Sequence, residues 1–383
     1  MSFSLCLPKI SLSGPGCVLE VTPFLQRSGI RRPLLVTDPQ LLKHGLVDAL
    51  LASLREAGLA PTVFDAVRPN PTDHVAEAAL AAFRESDGDA IIGFGGGSSI
   101  DTAKAVRALV ANPDKRVHEL AGVGNIGKCG PLLVAITTTA GTAAEVTSNA
   151  VITDTARHVK MVLIDAAIIP DLAVNDPELM LGLPASITAA TGIDALTHAV
   201  EAYVSKAAHP LTDHSALAAI RLIARHLPQA VDDGKDLEAR TMMCHGQFLA
   251  GMAFNSAGLG YVHSLAHQPG ATHDLPHGVC NAILLPVVSE FNRPHREERF
   301  AAIAQAMGGQ TDGLSLEEAS KLAIRLIREL SVRVGIPKGF AELGVKREDI
   351  AAWIRPAQED PCTGCAPVAA SDVEVENLYL KAL

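Results

Sequence analysis

Asp89–Asn112 reads DAIIGFGGGSSIDTAKAVRALVAN, and the change of period inside it decides the fold. DAIIGF is a short apolar run, the pattern of a strand buried on both faces. Gly95-Gly96-Gly97-Ser98-Ser99 interrupts it, and IDTAKAVRALVAN then spaces its apolar residues helically. A strand that turns through glycines into a helix opens a parallel β-α-β unit. Glycines at such a turn carry no β-carbon, so a ligand's phosphate can approach the backbone closely. The free N–H groups and positive end of the following helix favour that anion. The spacing is not G-x-G-x-x-G, so the dinucleotide fingerprint cannot be claimed, and a plain tight turn is the alternative reading.

Working outward, PLLVT before Asp38 reads as a buried strand, followed by LLKHGLVDALLASLREAGL at helical spacing. PTVFDAV is the next strand, ended by the turn Pro69-Asn70-Pro71-Thr72, and VAEAALAAFRESDG is the next helix. Downstream, PLLVAITT is a strand that ends in the small-residue loop Thr138-Thr139-Ala140-Gly141-Thr142. NAVITD and KMVLID are expected to pair as a hairpin on the edge of the sheet. Past Pro170–Pro184 strand-like runs nearly vanish and Ala- and Leu-rich helical patterns take over. The expected architecture is an α/β domain over residues 1–180 and an all-α domain over 181–383. Ligands of open α/β sheets bind outside the carboxyl ends of the strands, where both small-residue loops fall. Asp38, at the end of its strand, either accepts hydrogen bonds from a ribose or simply caps a helix. Lys104 and Lys160 could each contact a phosphate or ribose, although an exposed lysine needs no such explanation.

Composition narrows the function. The chain has 383 residues, 48% of them apolar, enough for two buried cores. A formal charge of -10 disfavours nucleic acid and anionic membrane surfaces as partners. Seven scattered cysteines, an odd number, do not suggest a disulfide framework. With no cationic leader in MSFSLCLPKISLSGPG and no long apolar run, a cytoplasmic protein is expected. Cys362-Thr-Gly-Cys365 is a lone C-x-x-C with no second pair, best read as coincidence.

The chemistry concentrates in Gly258–Leu285, GLGYVHSLAHQPGATHDLPHGVCNAILL, which holds His263, His267, His273 and His277. His263 and His267 stack on one face of a helix that Pro269-Gly270 should end, and Pro276-His277-Gly278 should present its histidine from a turn. Upstream, TGIDALTHAVEAYVS spaces Asp194 and His198 on one helix face. One carboxylate with two or three neutral imidazoles suits ferrous iron or zinc, whereas calcium and magnesium prefer oxygen shells. Asp194, His198, His263 and His277 form the candidate set, with His273 as a bystander. Each i, i+4 pair taken alone would read as a solvated helix face.

At these residues the chain resembles the iron-containing (group III) alcohol dehydrogenases. GFGGGSSIDTAKAV, TTTAGTAAEVTSNAVITD, TGIDALTHAVEAY and GLGYVHSLAHQPGATHDLPHGVCNAILLP occur in order. The pattern H-x3-H-x9-H-G after an upstream D-x3-H is highly specific. The look is closest to the branch holding the ethanolamine-utilisation alcohol dehydrogenase and lactaldehyde reductases. The resemblance implies a dehydroquinate synthase-like fold, with the active site in a cleft between a dinucleotide domain and a helical metal domain. It implies NAD and a divalent iron, with zinc as alternative, and hydride transfer between a small primary alcohol and the cofactor. An aldehyde or lactaldehyde reductase is the near alternative, and a metal-dependent lyase the distant one. Carried over, the metal ligands fall on Asp194, His198, His263 and His277. Cofactor contacts fall on Asp38, Asn70, Gly95, Gly96, Gly97, Ser98, Thr138, Thr139, Thr142 and Lys160. His267 corresponds to a non-ligating histidine at the reacting end. The resemblance also implies a homodimer paired through FSLCLPKIS. Two departures stand out: Thr272-His273 replaces a frequent aromatic, and TGCAPVAA replaces an Asn-Pro-Arg motif near the C-terminus.

Overall fold

The structure, a computed structural model, describes residues 3–157 and 159–383. Nine strands are present among them: β1 (Ile10–Ser13), β2 (Pro33–Val36), β3 (Thr62–Phe64), β4 (Ala90–Gly95), β5 (Gly122–Val123), β6 (Leu132–Thr137), β7 (Asn149–Asp154), β8 (Val159–Ile164) and β9 (Leu172–Asn175). The chain folds into two compact units. One runs over Cys6–Thr139 and Ala143–Met180; the other holds Leu181–Leu383 with Ala140–Thr142 and the residues up to Leu5.

The first unit is an α/β layer built on a parallel six-stranded sheet of order β1-β9-β6-β4-β2-β3. Its strands β2, β4 and β6 carry apolar residues at successive positions because both faces are covered. Leu35, Ile92, Phe94, Val134 and Ile136 feed one core with Leu25, Leu50 and Leu54. Their neighbours Leu34, Val36, Ile91 and Leu133 feed the other, against Ala76, Leu80, Val106 and Leu109. Sheet growth reverses between β2 and β4, since β3 lies on one side of β2 and β4 on the other. Such a reversal opens a crevice at the carboxyl ends of the strands. Asp38 follows β2 there, the glycine loop follows β4, and the threonine loop follows β6, whose Thr137 pairs in register with Gly95.

The expected hairpin forms, but not on the edge of this sheet. β7 and β8 pair antiparallel and join β5 in a separate three-stranded sheet. The place beside β6 is filled by β9, a fully buried four-residue strand whose shortness and position just after Pro170 hide it from sequence patterning. β7 alternates buried and half-buried residues, the pattern of a sheet covered on one face only. Lys104, considered above as a phosphate contact, is instead a strut. Its buried Nζ donates to Thr147 O, Thr147 Oγ1 and Asn149 O at 2.8, 2.9 and 2.8 Å, tying the Gly97–Ala111 helix to the start of β7. Burial pushes its pKa down to about 8, against the attraction of Asp101 and Glu145.

The second unit is helical. Ala185–Val204, Pro210–Asp232 and Leu237–Ala257 pack closely: a β-carbon on Gly246 would fall 2.8 Å from Ile223 Cγ1. The helix Tyr261–Thr272 does not end at Pro269 as expected but runs through it. Proline cannot donate to the carbonyl four residues back. That carbonyl, on Leu265, accepts from the buried Tyr379 hydroxyl at 2.9 Å, so the helix continues past the proline with its acceptor satisfied. His277 is the first residue of the next helix, His277–Asn292, behind Pro276.

Candidate metal centre

Three helices converge on one point. Asp194 comes from Ala185–Val204, His263 from Tyr261–Thr272, and His277 from the first turn of His277–Asn292. One ligand atom from each lies within 4.8 Å of the other two. His263 Nε2 and His277 Nε2 stand 4.0 and 3.8 Å from Asp194 Oδ1. Two atoms each about 2.1 Å from a common ion can be at most about 4.2 Å apart, so these spans admit a single cation.

The Asn281 amide nitrogen occupies the focus. It lies 2.6 Å from Asp194 Oδ1, 3.1 Å from His263 Nε2 and 3.0 Å from His277 Nε2. An amide group has two hydrogens, and with each imidazole proton on Nδ1 three acceptors face it. In that tautomer the cluster is over-supplied with lone pairs, and a divalent cation matches that surplus. One carboxylate and two imidazoles are a donor set that fits iron or zinc.

Burial holds two of the imidazoles, His263 and His198, neutral, the form that ligates. Burial drives His263 down to about 4 against the attraction of Asp194, and burial does the same to His198. His198 stands outside the group of three. Its ring stacks on His263 with centroids 4.6 Å apart and on Phe254 at 4.2 Å, and its buried Nδ1 has no hydrogen-bond partner among the described residues.

Three neighbours escape a reading of the sequence alone. Glu201 is buried with Oε2 2.6 Å from His263 Nδ1; burial raises its pKa to about 7. Asp194, His198 and Glu201 recur at i, i+4 and i+7, so helical spacing is the available signal. Asn281, one turn beyond His277, carries the same kind of signal. Asp360 carries none, because it arrives from a distant loop. Its Oδ2 lies 2.7 Å from His267 Nδ1. His267 is buried, and its ring stacks on His277 at 5.4 Å. Cys362, set aside above, has its sulfur in a compact group with His267 and Asp360; burial pushes the thiol well up. His273 is held away from the cluster by Asp349 at 3.3 Å and by the edge of Trp353. Thr272 Oγ1 accepts from Trp353 Nε1 at 3.0 Å.

In the α/β unit, Gly95 closes β4 with φ +147°, Gly96 precedes the Gly97–Ala111 helix, and Ser98 lies in its first turn. A β-carbon on Gly95 would fall 2.6 Å from Ser99 Oγ, whereas one on Gly96 would meet only Thr139, at 3.6 Å. The Thr138 N–H donates to Gly95 O, joining the two loops. Lys160 Nζ donates to Asn70 Oδ1 at 2.9 Å, which brings two of the expected cofactor residues together. Asp38 Oδ1 accepts from Gln40 and Leu41 N–H, so it caps the helix Pro39–Lys43. Thr142 belongs to the helical unit.

Comparisons with known proteins point in the same direction. Residues 8–177 match the family model for iron-containing alcohol dehydrogenase, and 188–383 the model for the C-terminal part of the Fe-containing alcohol dehydrogenase family. An NAD-dependent methanol dehydrogenase of Bacillus methanolicus is 45% identical, over 98% of this chain and 99% of that one. A lactaldehyde reductase of Escherichia coli is 41% identical over 99% of each. The crystal structure of a 1,3-propanediol oxidoreductase superposes with a TM-score of 0.97 at 44% identity, over 100% of both chains.

Proposed function

Because the chain belongs to the iron-containing alcohol dehydrogenase family, we propose that it moves hydride between a small primary alcohol and NAD at a divalent metal. It is an NAD-linked oxidoreductase of alcohols and aldehydes. The observation that carries the metal reading is the meeting of Asp194 Oδ1, His263 Nε2 and His277 Nε2 around one point. His198 is the proposed fourth ligand, one helical turn beyond Asp194 and neutral against the His263 ring. When bound, iron, or zinc in its place, supplies Lewis acidity at the substrate oxygen.

The protein's own part is to bind, orient and handle protons. Gly95, Gly96, Gly97 and Ser98 are assigned to the cofactor's pyrophosphate, because Gly96 leaves the backbone open at the start of a helix. Thr138, Thr139 and Thr142 form the second contact loop. Asn70 and Lys160 are assigned to a ribose on the strength of their mutual hydrogen bond. Asp38 offers its remaining carboxylate oxygen to the other ribose, which favours NAD over a 2′-phosphorylated cofactor. With NAD bound, oxidation of the alcohol would deliver its C–H hydride to the cofactor and release the hydroxyl proton. His267, oriented by Asp360, is the group assigned to pass that proton toward solvent.

We assign a homodimer, because β1 pairs among the described residues with β9 alone and presents Ile10, 45% exposed, on the edge strand. Among the described residues no helix is long and apolar enough to cross a membrane, and a reducing, cytoplasmic setting suits seven free cysteines.

The test is NADH formation by iron-loaded protein with short primary alcohols and a vicinal diol, and NADH consumption with the matching aldehydes. NAD-dependent turnover that falls away on chelation supports the reading. Metal-independent turnover, or none with any of these substrates, overturns it.

A further inference from the structure

We propose that Glu201 is the positioning residue of the metal centre, the acceptor that fixes His263 in the tautomer able to ligate. The inference rests on the metal reading above. A histidine can present the lone pair of Nε2 only when its proton sits on Nδ1. The Nδ1 of His263 meets Glu201 Oε2 at 2.6 Å, while its Nε2 faces Asp194 Oδ1 at 4.0 Å. The two sides of one ring therefore face an anchor and the candidate ligand focus.

Glu201 is itself held rigidly. It is 3% exposed, and its Oε1 accepts the Val262 N–H at 2.7 Å. The chain reaches that carboxylate through Gly260, where an added β-carbon would fall 2.9 Å from Oε1. One carboxylate thus caps the first turn of the helix that carries His263 and orients the ring on it. Outer partners of this kind align ligating imidazoles and raise their basicity.

A cap alone would explain the Val262 bond but not the second oxygen's contact with the ring. Glu201→Gln separates the two roles, since an amide offers one accepting atom and one donating atom. If the oxygen stays on Val262, the NH2 group donates to His263 Nδ1 and drives the proton to Nε2, where it blocks ligation. If the amide turns over, two N–H groups confront each other at Val262.

The experiment compares wild type, Glu201→Gln and Tyr379→Phe. Iron and cobalt affinities are measured by chelator competition, and the cobalt-substituted proteins by visible absorption. Tyr379→Phe frees the Leu265 carbonyl of the same helix without touching Glu201 or His263, so it controls for loss of helix stability. Glu201→Gln is expected to weaken metal binding about 10- to 100-fold and to shift the cobalt spectrum. Tyr379→Phe should lower Tm and change neither. Equal affinity and an unaltered spectrum in Glu201→Gln would overturn the assignment alone. Wild type that takes up no metal would overturn the metal reading and this assignment with it. Should Glu201→Gln fail to fold, nitrogen-15 NMR of metal-free wild type decides, with His263 assigned through its loss in His263→Gln. A proton on Nδ1 supports the assignment, and one on Nε2 sinks it.

Discussion

His267 and Asp360 are joined across 2.7 Å between Nδ1 and Oδ2, although 93 residues separate them in the chain. The pair fixes the imidazole beside His277, and the proposed proton transfer would use its other nitrogen. His267→Ala should lower kcat by roughly a hundredfold or more, within the range for loss of a positioned acid–base group, and flatten the pH profile. Metal content should remain at the wild-type level. An unchanged rate and an unchanged pH profile would remove His267 from the mechanism.

The same pair predicts an acid limb in stability. Burial raises the Asp360 carboxyl, but the neighbouring His267 and the hydrogen bonds it accepts outweigh that, and its pKa settles at about 2 against 3.8. A depressed carboxyl stabilises the fold above its unfolded value, and that contribution is lost as pH falls from 3.8 toward 2. It is worth roughly 2 kcal/mol. Denaturant unfolding of wild type and Asp360→Asn across this range should show a gap that closes by that amount. A constant gap would mean that the pair carries no such linkage.

Asp194→Ala, His263→Ala and His277→Ala should each weaken metal binding by more than about a hundredfold, beyond the loss of an outer partner. His198→Ala is the discriminating variant. Loss of binding of the same order would support it as fourth ligand, whereas retained binding would make it a ring packed against His263 and Phe254.

Gly95 and Gly96 should respond differently to alanine. Gly95 combines φ +147° with a β-carbon position 2.6 Å from Ser99 Oγ, so Gly95→Ala should cost roughly 1–2 kcal/mol of stability. Gly96 has ordinary φ and room for a methyl group. Gly96→Ala should leave Tm near wild type and, if the proposed pyrophosphate contact holds, raise the KM for NAD about tenfold, because the methyl would fill the space that contact needs. Thermal melts and cofactor titrations separate the two.

Tyr379→Phe strands the Leu265 carbonyl that Pro269 leaves without a helical donor. A cost of roughly 1–3 kcal/mol is expected for that buried acceptor, read as a lower denaturant midpoint.

Much of this is legible from local pattern. The shift from β to helical period at Gly95 locates the crevice, and i, i+4 spacing places His263 and His267 on one helix face. What escapes is decided across the chain. Pro269 signals a helix end, and only a tyrosine from the C-terminal helix reverses that reading. The β7–β8 pair looks like a continuation of the main sheet because nothing in its own residues reveals that β9 already holds the place beside β6. Asp360 has no periodic relation to His267. Glu201 does share the spacing of Asp194 and His198, but a lone glutamate on a helix ordinarily faces water, and only burial distinguishes this one.

The three converging groups reside on three separate helices, with Asp194 well ahead of the His277–Asn292 helix in the chain. A polypeptide leaving the ribosome exposes the aspartate long before the last imidazole emerges, so a chain that stops short of His277 cannot bring the three groups together. Any ion they hold would have to be captured by the folded helices rather than by a local stretch of the growing chain.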